Sequence, residues 1–198
     1  MTKAVNVDAA PGVFLFSGHM IDRPGRLRPR FPASLEASAA SGLARVLGEL
    51  GARTGDQAIS SGAAGGDILF AEACLSLGLG LMMVLPFPPE RFLHGSVEPS
   101  GPGWRERFQA LERDPRVVLK LLPPVADGSD PYGACNDVML QCALSHGAER
   151  LRCIVLWDGR EGGGPGGAGH MAAAAEAKGV TVYRLDPAHL DEAAHGTA

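Results

Sequence analysis

Two glycine-rich stretches and the strand end that precedes each of them hold the groups in this chain best suited to handling a charged ligand. The first is "SGAAGGD", with Ser61, Gly62, Gly65, Gly66 and Asp67; the second is "DGREGGGPGGAGH", with Asp158, Gly166, Gly167, Gly169 and His170. Each runs from an apolar segment into a segment of helical composition. A helix start presents N–H groups with no partner inside the helix, together with the positive end of the dipole. Adjacent glycines let an anionic oxygen reach those groups without meeting a Cβ atom. On this reading 61 to 67 is half of a phosphate cradle, and valine at Gly62 or Gly167 should block the anion while the chain still folds. Glycines also serve tight turns and close helix packing, and for one such loop that explanation is as good. Two loops on one rim favour a ligand.

Several side chains invite a role. Ser17, Gly18 and His19 end the first apolar run, and the His19 imidazole there can donate to a phosphate, with His170 the next candidate. Asp158 is the carboxylate placed for general acid/base work, or for capping its own loop. Asp67 can bond a ribose or cap the helix that it opens, and the cap is the slightly better reading. Trp104 and Trp157 read as core, and Tyr132 as a seal at the core edge that could also stack on a base. Cys74, Cys135, Cys142 and Cys153 are scattered without zinc spacing and read as reduced, mostly buried residues, so no metal is expected.

Gly164-Pro165-Gly166-Gly167-Ala168-Gly169 spells G-x-G-x-x-G, and Asp186 follows where a ribose-binding acid belongs in a dinucleotide fold. The fingerprint needs its first glycine directly after the strand, and here Asp158 to Gly163 intervene. A classical NAD site is therefore disfavoured.

The elements that must position these groups alternate. Apolar runs at 13 to 16, 57 to 60, 79 to 86, 116 to 122, 152 to 158 and 180 to 186 are continuous, as strands buried on both faces should be. Segments at 33 to 50, 67 to 78, 131 to 147 and 170 to 178 have helical composition, and 87 to 115 is the least regular piece, with a short amphipathic helix at 104 to 113. The alternation predicts an α/β fold: a three-layer, Rossmann-like, open and mostly parallel sheet with helices on both faces. One domain over 12 to 186 is expected, with loose ends at 1 to 11 and 187 to 198. Ligands of such sheets bind beyond the carboxyl ends of the strands, where both glycine loops fall.

Composition narrows the function. At 45% hydrophobic and 20% charged residues the chain suits a globular domain, and a net charge of −4 disfavours nucleic acid despite the cluster Arg23, Arg26, Arg28 and Arg30. No apolar run is long enough for a bilayer and no secretory layout opens the chain, so a cytoplasmic protein without membrane partners is expected.

In chain order, these motifs resemble the SLOG superfamily. "SGAAGGDILFAEA" is similar to the S-G-x-A-x-G-x-D run of DprA-like proteins. "SGH" is similar to the T-G-H-R of the YpsA and YoqJ group. "NDVMLQCALSHGAERLRCIVLWDGREGGGPGGAGH" resembles the N-R-x-M … A-W-D-G … G-G-x-G-T signature that includes the LOG cytokinin-activating enzymes. The resemblance spans about 13 to 186 and implies a Rossmann-like nucleotide-binding domain of bacterial type, often fused to signalling modules. It implies ligand contacts by Ser17, Gly18 and His19, by Ser61, Gly62, Gly65 and Asp67, by Asn136 from its helix, and by Asp158, Gly166, Gly167, Gly169 and His170. Two departures bear on catalysis. His170 and Ala173 stand where LOG enzymes keep Thr and the catalytic Glu, and Asn136-Asp137 stands in place of Arg-Lys. The resemblance therefore implies binding or sensing of a mononucleotide or ADP-ribose-like ligand, with no other cofactor required. The alternatives are a phosphoribohydrolase that uses Asp158, Asp67 or Glu72, and, less favoured, single-stranded DNA binding. A homodimer and a signalling or effector partner are left open.

Overall fold

The computed structural model of the protein describes residues 10–126, 128–160, 166–190 and 195–197. Most of the 1 to 11 end, and the 161 to 165 portion of the second glycine loop, lie outside the described residues. Six strands run parallel: β1 (Val13–Gly18), β2 (Gln57–Ser60), β3 (Gly80–Leu85), β4 (Val117–Leu121), β5 (Leu151–Leu156) and β6 (Val182–Leu185). A short β7 (His195–Thr197) pairs antiparallel with β6. The sheet order is β4-β3-β2-β1-β5-β6-β7.

Continuous apolar strands require cover on both faces, and the helices supply it. α1 (Glu36–Glu49), α2 (Gly66–Ser76), α3 (Pro89–Ser96) and α4 (Trp104–Arg113) lie on one side, over Phe14, Phe16, Leu81 and Met83. α5 (Pro131–Leu144) and α6 (Ala168–Glu176) lie on the other, over Val13, Leu15, Cys153 and Val155. α1 buries Ala39, Leu43, Val46 and Leu47, the three-and-four spacing of an amphipathic helix. α2 is apolar nearly all round because the sheet lies beneath it and α1 and α4 flank it. α5 starts where Asp130 accepts the Tyr132 and Gly133 N–H groups, at 3.3 and 2.7 Å, with Pro131 in the first turn. The fold is thus the expected α/β architecture, among the described residues no helix is long and apolar enough to cross a membrane, and β1 has neighbours reached by connections on opposite faces. That switch point opens a crevice at the carboxyl ends of β1 and β5.

Three elements differ from expectation. β4 was expected to be buried on both faces, but it is an edge strand with Val118 60% and Leu121 51% exposed, because its outward neighbour position is empty in the sheet order. The irregular piece after β3 contains α3, which starts with Pro89 in its first turn and buries Phe92, Leu93 and Ser96. At the C-terminal end, expected to be loose from 187, Leu190 is buried and 195–197 form β7.

Candidate ligand-binding cleft

A cleft of about 940 Å³ opens at that carboxyl edge, within the range of small-molecule sites. Of the candidate residues, Ser17, Gly18 and His19 line it from β1, and Ser61 and Asp67 from the β2–α2 junction. Asn136 reaches it from α5, and Gly166, Gly167, Gly169 and His170 from the start of α6. Gly62, Gly65, Gly66 and Asp158 do not form its walls.

The first glycine loop is occupied with the protein's own backbone. Gly66 N–H donates to the His19 carbonyl at 3.0 Å, Ile68 N–H to the Ala63 carbonyl at 3.3 Å, and Ile21 N–H to the Ala64 carbonyl at 3.1 Å. The loops after β1 and β2 are thereby sewn together, with Met20 and Gly65 as a bridge pair. Gly65 (φ +102°) is the N-cap of α2, a conformation that L side chains rarely adopt. Gly62 (φ +82°) has the Met83 side chain where a Cβ would stand, so valine there perturbs the fold itself rather than ligand approach alone. Gly66 is held over the Phe16 ring. Within the 61 to 67 cradle the Gly66 N–H serves the junction of the two loops, the Ala64 N–H donates to the Ser96 carbonyl and the Ser61 N–H to Asp67, whereas Gly167, Ala168 and Gly169 at the start of α6 face the cleft.

Asp67 sits in the first turn of α2 and makes no side-chain cap, since Gly65 holds that position. Its side chain is 4% exposed. The carboxylate receives the Ser61 backbone N–H at 3.4 Å, with smaller help from the Ser61 hydroxyl and its own N–H. Burial pushes its pKa up to about 7 against those bonds. Asn136 donates to the Gly167 carbonyl at 3.2 Å and so fixes the entrance of α6, with His170 Nδ1 at 3.5 Å.

Asp158 anchors the opposite side. Arg30 donates to it through Nε at 2.9 Å and Nη2 at 2.6 Å, and His19 Nε2 lies 3.0 Å from Oδ1. The Arg30 guanidinium holds the Asp158 carboxyl well below the usual carboxylate range, so it stays ionised. Burial lowers the His19 pKa below 6.5, and the Asp158 bond only partly opposes it. His19 Nε2 stands between two groups of Asp158, the carboxylate at 3.0 Å and the backbone N–H at 3.2 Å, and the proton position on the neutral ring depends on which of the two it serves. His19 is thus held by Asp158 rather than free as a cationic donor.

The sequence reading did not assign the arginines to the site. Asp22 clamps the loop after β1 by accepting from Arg30 N–H (2.8 Å), Phe31 N–H (2.9 Å) and Arg26 Nη1 (2.9 Å). The clamp turns Arg26 and Arg30 into the cleft, and Arg160 enters from the β5 side. The charge cluster at 23 to 30 was visible in the sequence, but its direction depends on the clamp. Trp157, expected in the core, also lines the cleft and donates to the Arg160 carbonyl at 3.0 Å. Tyr132 is 38% exposed and lines the cleft, with its hydroxyl 3.1 Å from Ser96 Oγ. Glu72, by contrast, faces α4, where it takes Arg107 Nε at 2.8 Å, well away from these walls. Of the cysteines, Cys74, Cys135 and Cys153 are buried and Cys142 is half-buried.

Fold and cleft together define an open parallel α/β domain with a cationic crevice at its topological switch point. No family model matches the chain, and no curated protein does. Among solved structures it is similar to DNA processing protein A (DprA) from Streptococcus pneumoniae, with a TM-score of 0.47 and 14% identity, over 88% of this chain and 50% of that one. The chain spans about half the length of that protein's structure.

Proposed function

We propose that this domain binds a small, phosphorylated, nucleoside-type ligand, a mononucleotide or an ADP-ribose-like compound, and does not hydrolyse it. The observation that carries the reading is the convergence of Arg26, Arg30 and Arg160 with the first turn of α6 on one cleft of nucleotide size. Guanidinium groups and helix starts both favour phosphate oxygens. Only Asp22 and Asp158 lie within ion-pair distance of these three arginines among the described residues, so an excess of positive charge remains for a ligand.

A ligand bound by the native state alone raises its melting temperature, by about 2.7 kcal/mol of stabilisation at a hundredfold excess over Kd. Thermal melts with AMP, ADP and ADP-ribose are expected to shift upward by several degrees, and adenosine and ribose to shift little. Arg26→Ala with Arg160→Ala is expected to weaken binding about tenfold or more. Equal shifts from adenosine and AMP would overturn the reading.

The hydrolase alternative is favoured by one observation, a buried carboxyl at Asp67 that titrates near neutrality inside the cleft. Against it, Asp158 is kept ionised by Arg30 and Glu72 is committed to Arg107, so Asp67 has neither of them as a second acid/base group. Ala173, also in the wall, has no group to move a proton. AMP incubated with the pure protein is expected to yield no adenine above the protein-free control. Steady adenine release that Asp67→Asn abolishes would install the enzyme instead.

A further inference from the structure

The strand order sorts the chemistry of the cleft from one end to the other. Toward β3 lie Phe92 and Ser96 of α3 and Tyr132 of α5, an end whose aromatic walls are relieved by two mutually bonded hydroxyls. Phe87 stands edge-on to the Tyr132 ring at 5.6 Å and fixes its plane. Over β2 and β1 come Asp67, Ser61 and Ser17. Over β5 come the guanidinium groups gathered at Asp158. Within this series Asp67 is 4% exposed, whereas the Arg160 side chain is 73% exposed.

Asp67 is the group within this series that the protein does not complete. It is buried in the wall, makes no ion pair among the described residues, and takes its bonds from Ser61, whose backbone N–H stands at the long distance of 3.4 Å, and from its own N–H. A carboxylate at that depth needs donors, and leaving it without them is costly. A cationic donor does not suit the place, because Arg26, Arg30 and the starts of α2 and α6 surround the cleft with positive potential. Neutral donors do suit it, and a pair of adjacent hydroxyls matches the two oxygens of a carboxylate.

We propose that Asp67 determines specificity in this cleft by accepting hydrogen bonds from the 2′- and 3′-hydroxyls of a ribose, with the base against Tyr132 and the phosphates toward Arg26 and Arg160. The proposal rests on the nucleotide reading above and names its ligand class. β2 and β5 flank β1, so the hydroxyl site and the guanidinium cluster are two strand spacings apart, about 10 Å. With a hydrogen bond at each end, that span fits ribose hydroxyls on Asp67 and the 5′-phosphate of the same sugar on the guanidinium groups. The class is therefore a ribonucleoside 5′-phosphate, distinguished from its deoxy counterparts by Asp67.

Calorimetric titration of the full chain with ADP, AMP, 2′-deoxy-ADP and 2′,3′-dideoxy-ADP tests it. ADP is expected to bind most tightly, loss of one hydroxyl to weaken binding roughly tenfold, and loss of both roughly a hundredfold, as for hydrogen bonds to a charged acceptor. Asp67→Ala is expected to erase the difference between ADP and its dideoxy analogue. If that variant does not fold, the analogue series on the unaltered protein still decides. ADP bound with indifference to its hydroxyls overturns the role of Asp67 and leaves the nucleotide reading standing. No binding of ADP, AMP or ADP-ribose overturns the nucleotide reading with everything built on it.

Discussion

Gly65→Ala is expected to cost about 3 kcal/mol or more of folding stability, the largest effect of any single-methyl change at the cleft. Gly65 has φ +102° and ψ −125°, a region essentially closed to residues with a Cβ. An added Cβ would fall on the Ile21 backbone nitrogen and come within 3.0 Å of the His19 carbonyl oxygen. Both are main-chain atoms tied into the loop junction through Ile21 N–H and Gly66 N–H, so neither can swing aside as a side-chain tip would. Relief requires parting the loops after β1 and β2, which carry His19 and Asp67 into the cleft. Urea denaturation should show a lower midpoint with an unchanged slope, and ligand-induced stabilisation should shrink with it. A variant within 1 kcal/mol of the parent would mean that the junction is softer than its geometry.

Asp67→Asn is expected to stabilise the unliganded protein at pH 8 by about 3 to 4 kcal/mol and to leave it nearly unchanged at pH 4. The folded pKa of about 7 lies above the ordinary 3.8, so the native state binds a proton more tightly than the unfolded chain does. The stability associated with that proton is complete below about 3.8 and is lost as pH rises through 7. Asparagine keeps an oxygen for the Ser61 N–H and has no charge to desolvate, so the cost is removed where the carboxylate would ionise. His19 works in the opposite direction: its lowered pKa favours the neutral form, and stability is lost on acidification below 6.5. The difference between variant and parent cancels His19 and isolates Asp67. Melting curves at pH 4, 6 and 8 should diverge upward, to roughly 10 °C at the top. A constant difference across that range would show that Asp67 is not desolvated as the structure has it. In the presence of a ribonucleotide the advantage should shrink, because the variant keeps one acceptor oxygen where the carboxylate offers two.

Much of the architecture was legible in the sequence because its causes are local. Continuous apolar runs, helical spacers and glycine-rich strand ends each follow from neighbouring residues, and together they imply a doubly covered parallel sheet with its site on one rim. Ser17, His19, Asp67, Asn136 and His170 were identifiable as cleft residues because each sits at or near the end of a recognisable element. What the glycines do there was not legible. Gly62, Gly65 and Gly66 looked like an anion cradle, yet the groups packed against them are the Met83 side chain, the Ile21 backbone nitrogen and the Phe16 ring, from other strands and loops. Nor could charge at 23 to 30 reveal that Asp22 folds the loop back and that Asp158, 128 positions after Arg30, takes its guanidinium. Edge or centre for β4 depended on sheet order, which composition does not encode. Residue type and spacing determined the elements and the rim on which the cleft opens. Tertiary structure alone decided which polar groups spend their hydrogen bonds on the protein and which, like Asp67, are left facing the cleft, because that depends on partners brought from far along the chain.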